Sequence, residues 1–268
     1  MFYTYVMPSP VLAPYVRHYW VLELDHSDDI GRERVIPSDS IQLMFHYKNP
    51  FLTLKSGSAS LQPRSFISGI DTTYSDASIC GDSGVIAVVF HPLGACRFFD
   101  FPLQEVASRN VGLADIGYNC MLDLEDRICN AESNLERIAA IEEFLVGRLK
   151  TESDPNIQLM RKSLELIDFS KGQVRVGDLA KDLFITNKTL ERRFKSLVGI
   201  APKHYIRLKR FLHTVRSLQA VGTSHLVDIA YNSGFYDQAH FINDFKTFSG
   251  YTPKEYVSLC STRSYSEI

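Results

Sequence analysis

The 268-residue sequence has no long hydrophobic run, little cysteine and a single tryptophan. Its longest unbroken apolar stretch is Val85–Phe90, far short of the roughly 20 residues that a membrane-spanning helix needs. No basic residue precedes Arg17, and prolines interrupt the N-terminus, which argues against a secretory signal. The five cysteines are odd in number and form no CxxC motif. A reduced cytoplasmic protein that is not attached to a membrane is therefore expected.

The common motifs of catalysis and metal binding are also missing. The sequence contains no Gly-rich phosphate loop and no GxSxG nucleophile motif. His46 and His91 stand alone, whereas a metal site needs three or four convergent ligands. We therefore expect no catalytic residue, no metal site and no cofactor.

The net charge of −2 hides a strong segregation of sign. Residues 1–154 carry 12 Lys and Arg against 21 Asp and Glu, a net −9, whereas residues 155–268 carry 17 against 10, a net +7. This asymmetry is typical of an acidic module joined to a basic module that binds a polyanion such as DNA. Two ordinary domains of unequal charge give the same pattern, so charge alone does not decide between these interpretations.

The first 150 residues have the pattern of strands followed by helices. Apolar residues alternate in Ile41–Tyr47, which predicts a half-buried strand. Gly84–Phe90 is apolar throughout, as expected for a strand covered on both faces. Shorter apolar stretches near Phe51–Leu54 and Phe66–Gly69 lie between turn residues. We predict an α+β chain that begins with an antiparallel, cupin-like β-barrel or sandwich.

A helix is predicted over Asn134–Lys150, where Ser133 and Glu136 form a capping box. Its apolar stripe must pack either on the barrel or on a second subunit, so a homodimer is one of two alternatives. The polar segment 151–156 contains a proline and is the predicted linker. It would separate an N-terminal domain of residues 1–150 from a C-terminal domain of residues 157–262.

An aromatic set in the N-terminal half has two interpretations. Trp20, Phe45, Tyr47 and Phe90 either form ordinary core or line a pocket for a small molecule. The isolated cysteines likewise have two interpretations, as buried apolar residues or as redox sensors. A small-molecule effector therefore stays an open alternative.

The basic half contains an internal repeat. A shift of 51 residues places six residues of the segment 194–205 on identical residues of the segment 245–256. Upstream of the turn, a shift of 50 aligns Leu179–Ala180 with Ile229–Ala230. Such self-similarity indicates a duplicated structural unit.

Each copy of the repeat has the pattern of a helix-turn-helix. In the first copy the helix Val176–Asp182 precedes a longer helix, Asn187–Val198, which Thr186 caps. In the second copy Asp237 caps the longer helix, Gln238–Ser249. A helix-turn-helix inserts the polar face of its second helix into the major groove of DNA. The repeat therefore predicts an all-α domain with two such motifs.

A long amphipathic segment, Pro202–Gln219, joins the two copies. As a helix it would be about 27 Å long, which would hold two recognition helices roughly one DNA turn apart. The short helix of the second copy is predicted over His225–Ser233, and Gly234 follows in a left-handed turn. One chain could thus contact two successive major-groove segments.

Two segments resemble the paired motifs of the AraC/XylS family of bacterial transcription regulators. Leu179–Tyr205 (LAKDLFITNKTLERRFKSLVGIAPKHY) resembles the first motif, and Asp228–Tyr256 (DIAYNSGFYDQAHFINDFKTFSGYTPKEY) resembles the second. Residues 1–150 resemble, more weakly, the sensor-like domain of one AraC-type subgroup. The sequence departs from the family at Asn243, where many members have Arg, and at Ala201, where a Ser or Thr cap is usual.

The resemblance implies a sequence-specific DNA-binding transcription factor without catalytic activity. Its implied partners are double-stranded DNA and RNA polymerase, and control would come from a small molecule or from oligomerisation. Two alternatives stay open on the sequence. One is a DNA-tethered enzyme with a barrel-type catalytic domain, and the other is a nonspecific DNA-coating protein, which a low specificity ratio would reveal.

The polar stripes of the longer helices supply the candidates for DNA contact. Arg192 matches a base-contacting position of the family, and a guanidinium binds guanine bidentately. Glu191 either accepts a hydrogen bond from cytosine or pairs with Lys195 four residues on. The base-reading candidates are Lys188, Glu191, Arg192, Gln238, Ala239, His240, Ile242 and Asn243, and the phosphate candidates are Thr186, Lys195 and Lys246.

Charge separates the two copies, since the first long helix with its cap residue (Thr186–Val198) carries a net +3 and the second with its cap residue (Asp237–Ser249) a net −1. We therefore expect the first motif to dominate affinity and the second to add a preference for A·T pairs. A further set of small and apolar residues is expected to hold the two motifs together: Ala180, Leu190, Phe194, Gly199, Ala230, Gly234, Phe241, Phe245 and Gly250.

Overall fold

The computed structural model describes residues 1–25, 31–55, 57–79, 81–117, 121–151, 154–221, 226–235 and 237–262. The strands are β1 (Phe2–Val6), β2 (Val16–Leu24), β3 (Gly31–Val35), β4 (Gln42–His46), β5 (Leu52–Lys55), β6 (Ser58–Leu61), β7 (Ser65–Ser68), β8 (Ser75–Ile79), β9 (Ser83–Phe90) and β10 (Asn110–Gly112). The α-helices are α1 (Met121–Asn130), α2 (Asn134–Arg148), α3 (Pro155–Phe169), α4 (Val176–Asp182), α5 (Asn187–Leu197), α6 (Pro202–Val221), α7 (Leu226–Asn232), α8 (Gln238–Ser249) and α9 (Pro253–Thr262).

The N-terminal strands form two antiparallel sheets. The six-stranded sheet has the order β1-β2-β9-β4-β7-β10, and the four-stranded sheet has the order β3-β8-β5-β6. A small hydrophobic cluster lies between them and includes Met44, Phe66 and Val85 from the larger sheet and Ala77 from the smaller. This architecture, followed by a helical C-terminal domain, confirms the predicted α+β fold.

The central strands of the larger sheet are buried on both faces. Strand β9 is buried along its whole length, as the apolar run Gly84–Phe90 predicts. The prediction that Ile41–Tyr47 is a half-buried strand is wrong, because Met44 and His46 on its second face are buried as well. The alternation of apolar residues assigns the side chains of β4 to its two faces correctly, but the four-stranded sheet covers the face that the pattern predicts to be exposed to solvent.

Helix α2 packs on the β domain of its own chain. Its apolar stripe, which includes Ile138, Ile141 and Leu145, is buried in the main core. Ser133 caps the helix by accepting a hydrogen bond from the backbone of Glu136 at 3.2 Å. The second half of the expected capping box is shifted by one residue, because the Glu136 carboxylate accepts from the backbone N–H of residue 132.

The helical domain follows its predicted element order. Helix α3 begins at Pro155 and is capped by Asp154, inside the segment 151–156 that was predicted to be the linker. Helices α4, α5 and α8 lie within a residue of their predicted bounds. Helix α6 has 20 residues, so the strut between the two copies is about 30 Å long. His225, the predicted start of the next helix, lies outside the described residues.

An ion cluster joins the two domains. The carboxylate of Asp39, in the loop before β4, is 6% exposed and accepts hydrogen bonds from Arg17 at 3.3 Å and from Lys209 of α6 at 2.8 Å. Lys209 also lies 2.6 Å from a carboxylate oxygen of Asp168 on α3. The strut is therefore tied directly to the β domain.

Two turns at equivalent positions of the repeat also contact the β domain. Gly199 ends the turn after α5, has a φ of +101°, and lies against the backbone of Leu103. Gly250 follows α8, has a φ of +74°, and lies beside Arg34. The guanidinium of Arg34 lies 4.5 Å from the ring centre of Tyr251. These left-handed turns favour glycine, and their close packing leaves little room for a side chain.

Among the described residues, no helix combines the length and hydrophobicity needed to cross a lipid bilayer. Within the same ranges, no three His, Cys, Asp or Glu side chains gather as ligands for a metal ion. Cys96, Cys129 and Cys260 are free thiols, while Cys80 and Cys120 fall outside the described residues.

Candidate nucleic-acid interface

The first helix-turn-helix is built from α4, a tight turn and α5. Thr186 begins α5, and its hydroxyl accepts a hydrogen bond from the backbone of Thr189 at 3.1 Å. Leu190 and Phe194 are fully buried on the inner face of α5. The ring of Phe194 packs 5.8 Å from that of Tyr205 on the strut. Since the inner face is fixed, the outer face of α5 has a defined direction.

The outer face of α5 presents the charged stripe that the sequence predicts. Lys188, Glu191 and Arg192 are exposed. The ammonium of Lys195 lies 2.7 Å from the carboxylate of Glu191, so the ion pair forms in the unbound chain. The hydrogen bond and charge of Lys195 lower the pKa of Glu191. A phosphate bound by Lys195 would therefore compete or share with this carboxylate for the ammonium donors.

The second helix-turn-helix repeats the arrangement with α7 and α8. The carboxylate of Asp237 caps α8 by accepting a hydrogen bond from the backbone of His240 at 2.7 Å. Phe245 and Phe248 are buried on the inner face, and each ring centre lies 5.1 Å from that of Phe211 on the strut. An aromatic cluster therefore holds α8 on the strut.

The outer face of α8 carries the remaining candidates. Gln238, Ala239, His240, Asn243 and Lys246 are exposed. The ring of His240 lies edge-on to a buried phenylalanine of its own motif, with 5.4 Å between ring centres. Ile242, in contrast, is half-buried against the core. Its side chain therefore has less apolar surface to offer DNA than the sequence pattern suggests.

Asp244 is a buried neighbour of the candidate Asn243 that the sequence analysis did not single out. Its carboxylate is 7% exposed and accepts two hydrogen bonds from Arg207 of the strut, at 2.6 and 3.3 Å. Arg207 therefore neutralises one of the two acids that give this motif its net −1 charge. The signal was present in the spacing, because Asp244 lies three residues after Phe241 and so falls on the buried face.

The turn of the first motif has a bulky residue at a position where its duplicate has glycine. Phe184 aligns with Gly234 when the sequence is shifted by 50 residues. Both residues are left-handed, with φ values of +55° and +73°. The Phe184 side chain is 94% exposed, so no packing within the described chain compensates a conformation that suits glycine better.

Residues of the β domain lie beside the charged stripe of α5. The short helical turn Leu103–Val106 packs on α5. A groove of about 650 Å³ runs between Pro102 and Gln104 on one side and the stripe, with Arg192 and Lys195, on the other. A duplex whose major groove receives α5 would therefore pass close to Gln104. The sequence held no signal for this proximity because the two segments are far apart in the chain.

The aromatic and histidine candidates of the N-terminal half are mostly core. Phe45, Tyr47 and Phe90 are buried in the main cluster, and Trp20 is half-buried with its indole N–H donating to Gln42 at 3.1 Å. His46 is buried between the sheets, and this burial lowers the pKa of its imidazole to about 4. The imidazole is therefore neutral at pH 7.

Two family models match separate parts of the chain. A model described as a helix-turn-helix domain matches residues 179–258. A model described as a domain of unknown function (DUF6597) matches residues 4–112. The two matches fall on the helical domain and on the β domain, respectively.

The chain is also similar to characterised regulators. It is 27% identical over 114 residues to the HTH-type transcriptional activator RhaS of Escherichia coli O139:H28 (strain E24377A / ETEC), a match that spans 40% of this chain and 40% of RhaS. A 1.65 Å structure of ToxT from Vibrio cholerae is 14% identical, covers 90% of this chain and 97% of its own, and has a TM-score of 0.47. The DNA-binding domain of AdpA, solved with a target DNA, is 26% identical and has a TM-score of 0.35. The match covers 42% of this chain and 100% of the AdpA domain.

Proposed function

We propose that the chain is a sequence-specific DNA-binding transcription factor of the AraC/XylS type, which its helix-turn-helix domain and its similarity to RhaS support. Residues 157–262 form the proposed DNA-binding domain, and residues 1–150 form the proposed sensor or oligomerisation domain. The proposed role is regulation rather than catalysis, exercised in the cytoplasm, where the protein can reach both DNA and RNA polymerase.

One observation carries the proposal: two capped helices with exposed polar faces are fixed on a single strut. The buried phenylalanines of α5 and α8 anchor both helices to α6, which is about 30 Å long. Major-groove segments on one side of B-DNA recur about every 34 Å. We propose that the two helices, whose polar faces are exposed on one strut, enter successive major-groove segments on one face of a duplex.

The two helices have different proposed roles. Helix α5 offers Lys188, Glu191 and Arg192 as exposed charged side chains, and bidentate binding of guanine by Arg192 would specify a base. Helix α8 offers the small and amide side chains of Ala239 and Asn243, which suit thymine methyl groups and adenine. The first motif would thus dominate affinity, and the second would add A·T preference.

Binding-site selection with the purified chain at a stated salt concentration tests the proposal. We expect enrichment of one bipartite sequence. Arg192→Ala should cost about 1–3 kcal/mol and relax one base position, whereas Lys246→Ala should weaken all sequences alike and lower the salt slope by about 1. Lys162→Ala is the matched control, because Lys162 is an exposed lysine on α3, outside both helix-turn-helix motifs.

Two results would overturn the proposal. One is a selection without any preferred sequence, since a specific regulator binds its site roughly 10³–10⁷ times tighter than random DNA. The other is a footprint in which Arg192→Ala is harmless while Asn243→Ala abolishes binding, which would reverse the roles of the two motifs.

A further inference from the structure

The groove beside α5 has walls from both domains. One wall is the polar stripe of the recognition helix, and the other is formed by Pro102 and Gln104 of the β domain. Lys188 and Lys195 both line the groove and lie two helical turns apart. The groove therefore follows the outer face of α5 for about 10 Å. A polymer strand lying along this face would contact the β domain as well.

The turn that carries Gln104 is held firmly in place. Leu103 and Val106 on either side of it are fully buried. A Cβ atom added at Gly199, directly after α5, would lie only 3.2 Å from the carbonyl oxygen of Leu103, so the turn packs closely on the helical domain. Gln104 itself is exposed, and its side-chain amide forms no hydrogen bond with the described part of the chain. Its two N–H donors are therefore available to a ligand in the groove.

The internal repeat provides a comparison for this side of α5. Lys195 and Ser196 are half-buried and line the groove. A shift of 51 residues places them on Lys246 and Thr247 of α8, which are exposed. The C-terminal half of the first recognition helix is thus less open than the same half of the second. A duplex bound to α5 would lie correspondingly close to the β domain.

The charge of the groove suits a polyanion. Three cations and one carboxylate of α5 line it: Lys188, Glu191, Arg192 and Lys195. The β domain contributes only Pro102 and Gln104, which are uncharged, although residues 1–154 carry a net −9. Glu105 is exposed but is not one of the lining residues. The acidic domain therefore borders the groove with a neutral surface.

The dimensions of B-DNA place a strand beside any helix that enters the major groove. The major groove is about 12 Å wide, and an α-helix with its side chains is about 10–12 Å across. A recognition helix therefore fills the groove and has a sugar–phosphate strand on each side. Glutamine amides are among the groups that bind phosphate oxygens in such complexes.

We propose that one sugar–phosphate strand of the bound duplex lies in this groove, and that the side-chain amide of Gln104 donates a hydrogen bond to a phosphate oxygen. The β domain then makes a DNA contact of its own, which adds affinity without reading a base. This inference rests on the proposed function and extends it to a residue outside both helix-turn-helix motifs.

Substitutions at Gln104 in the full chain test the contact, with the same substitutions at Gln158 as controls. Gln104→Ala should weaken binding about three- to tenfold for all DNA sequences alike. Gln104→Lys should strengthen binding and steepen its salt dependence by about one phosphate contact. Gln158 is an exposed glutamine on α3 that does not line this groove, so its variants should bind as the wild type does. The thermal midpoint of each variant establishes that it is folded.

Ethylation of single phosphates in the preferred duplex locates the contact. In the wild type, one ethylated phosphate beside the α5 half-site should interfere with binding, and Gln104→Ala should lose this interference while keeping the others. A merely structural role of Gln104 would change the affinity without removing the interference at one phosphate.

Three outcomes would overturn the inference: Gln104→Ala binds as the wild type does, it binds more tightly because the β domain obstructs the strand, or Gln104→Lys and Gln158→Lys behave alike. If the chain selects a DNA sequence while the Gln104 variants have no effect, the groove assignment fails and the proposed function stands. If all duplexes bind alike but only Gln104→Lys steepens the salt dependence, the proposed function fails and the groove assignment stands. Absence of binding to any duplex overturns both.

Discussion

Replacing Asp39 with asparagine should loosen the docking of the two domains. The Asp39 carboxylate lies at the centre of the ion cluster, with Arg17 from the β domain on one side and Lys209 from the strut on the other. Asparagine keeps the size of the side chain and removes the charge. The change therefore isolates the electrostatic part of the interdomain contact.

The expected cost follows from what each partner loses. A buried ion pair broken at one end typically costs 3–5 kcal/mol, because the other charge is left uncompensated. Lys209 keeps a second carboxylate, that of Asp168 at 2.6 Å, and Arg17 is partly exposed and can be hydrated. We therefore expect Asp39→Asn to lower the free energy of unfolding by about 2 kcal/mol.

The loss of stability caused by Asp39→Asn should depend on pH in a defined direction. Burial raises the pKa of Asp39, but Lys209 and Arg17 outweigh it and hold the pKa below the usual value of 3.8. A carboxylate with a depressed pKa in the folded state contributes stability that is present above its unfolded pKa and lost as the pH falls through its folded pKa. The difference between the wild type and Asp39→Asn should therefore be constant near neutral pH and shrink below about pH 4.

Urea unfolding of the full chain at several pH values measures this difference. Asp82→Asn is the control, because Asp82 pairs with Lys48 at 2.8 Å but both side chains are substantially exposed, and such a pair contributes about 0–1 kcal/mol. The reasoning is refuted if both variants lose the same stability, or if the deficit of Asp39→Asn persists unchanged in acid.

Three further predictions concern the helical domain. Phe184→Gly should raise the free energy of unfolding by about 1 kcal/mol, because glycine adopts the left-handed conformation of this position without strain. Thermal melting measures the change, and Gly234→Ala at the equivalent position should lower the stability. Asp244→Asn should lower stability by about 2 kcal/mol by stranding Arg207, and a double-mutant cycle with Arg207→Met in urea should give a coupling well above zero. Thr186→Ala should cost about 1 kcal/mol through the lost cap, and an unchanged urea midpoint would contradict it.

Local features of the helical domain were predictable because they depend on neighbouring residues. Thr186 and Asp237 cap their helices as their residue types suggest, and helix α8 has the predicted bounds. The apolar spacing also identified the buried faces of both recognition helices. These features follow from the 3.6-residue period and from end capping, which leave a signature within a few residues of sequence.

Features that depend on distant segments were not predictable. Nothing near Asp39 in the sequence indicates Lys209, which lies 170 residues away and reaches it only because the domains dock. The alternation in strand β4 predicts one exposed face, but both faces are buried. Alternation reports the period of a strand and not the number of layers that cover it.

The contacts that the two glycine turns make with one β domain have a consequence for the DNA sites that the protein would accept. Each turn directly follows a recognition helix, so its contacts with the β domain fix the orientation of one helix relative to the other. A rotation of the β domain would therefore move both helices together. Under the proposed function, the β domain would then determine how far the spacing between the two half-sites of an operator can vary, although it contacts no base.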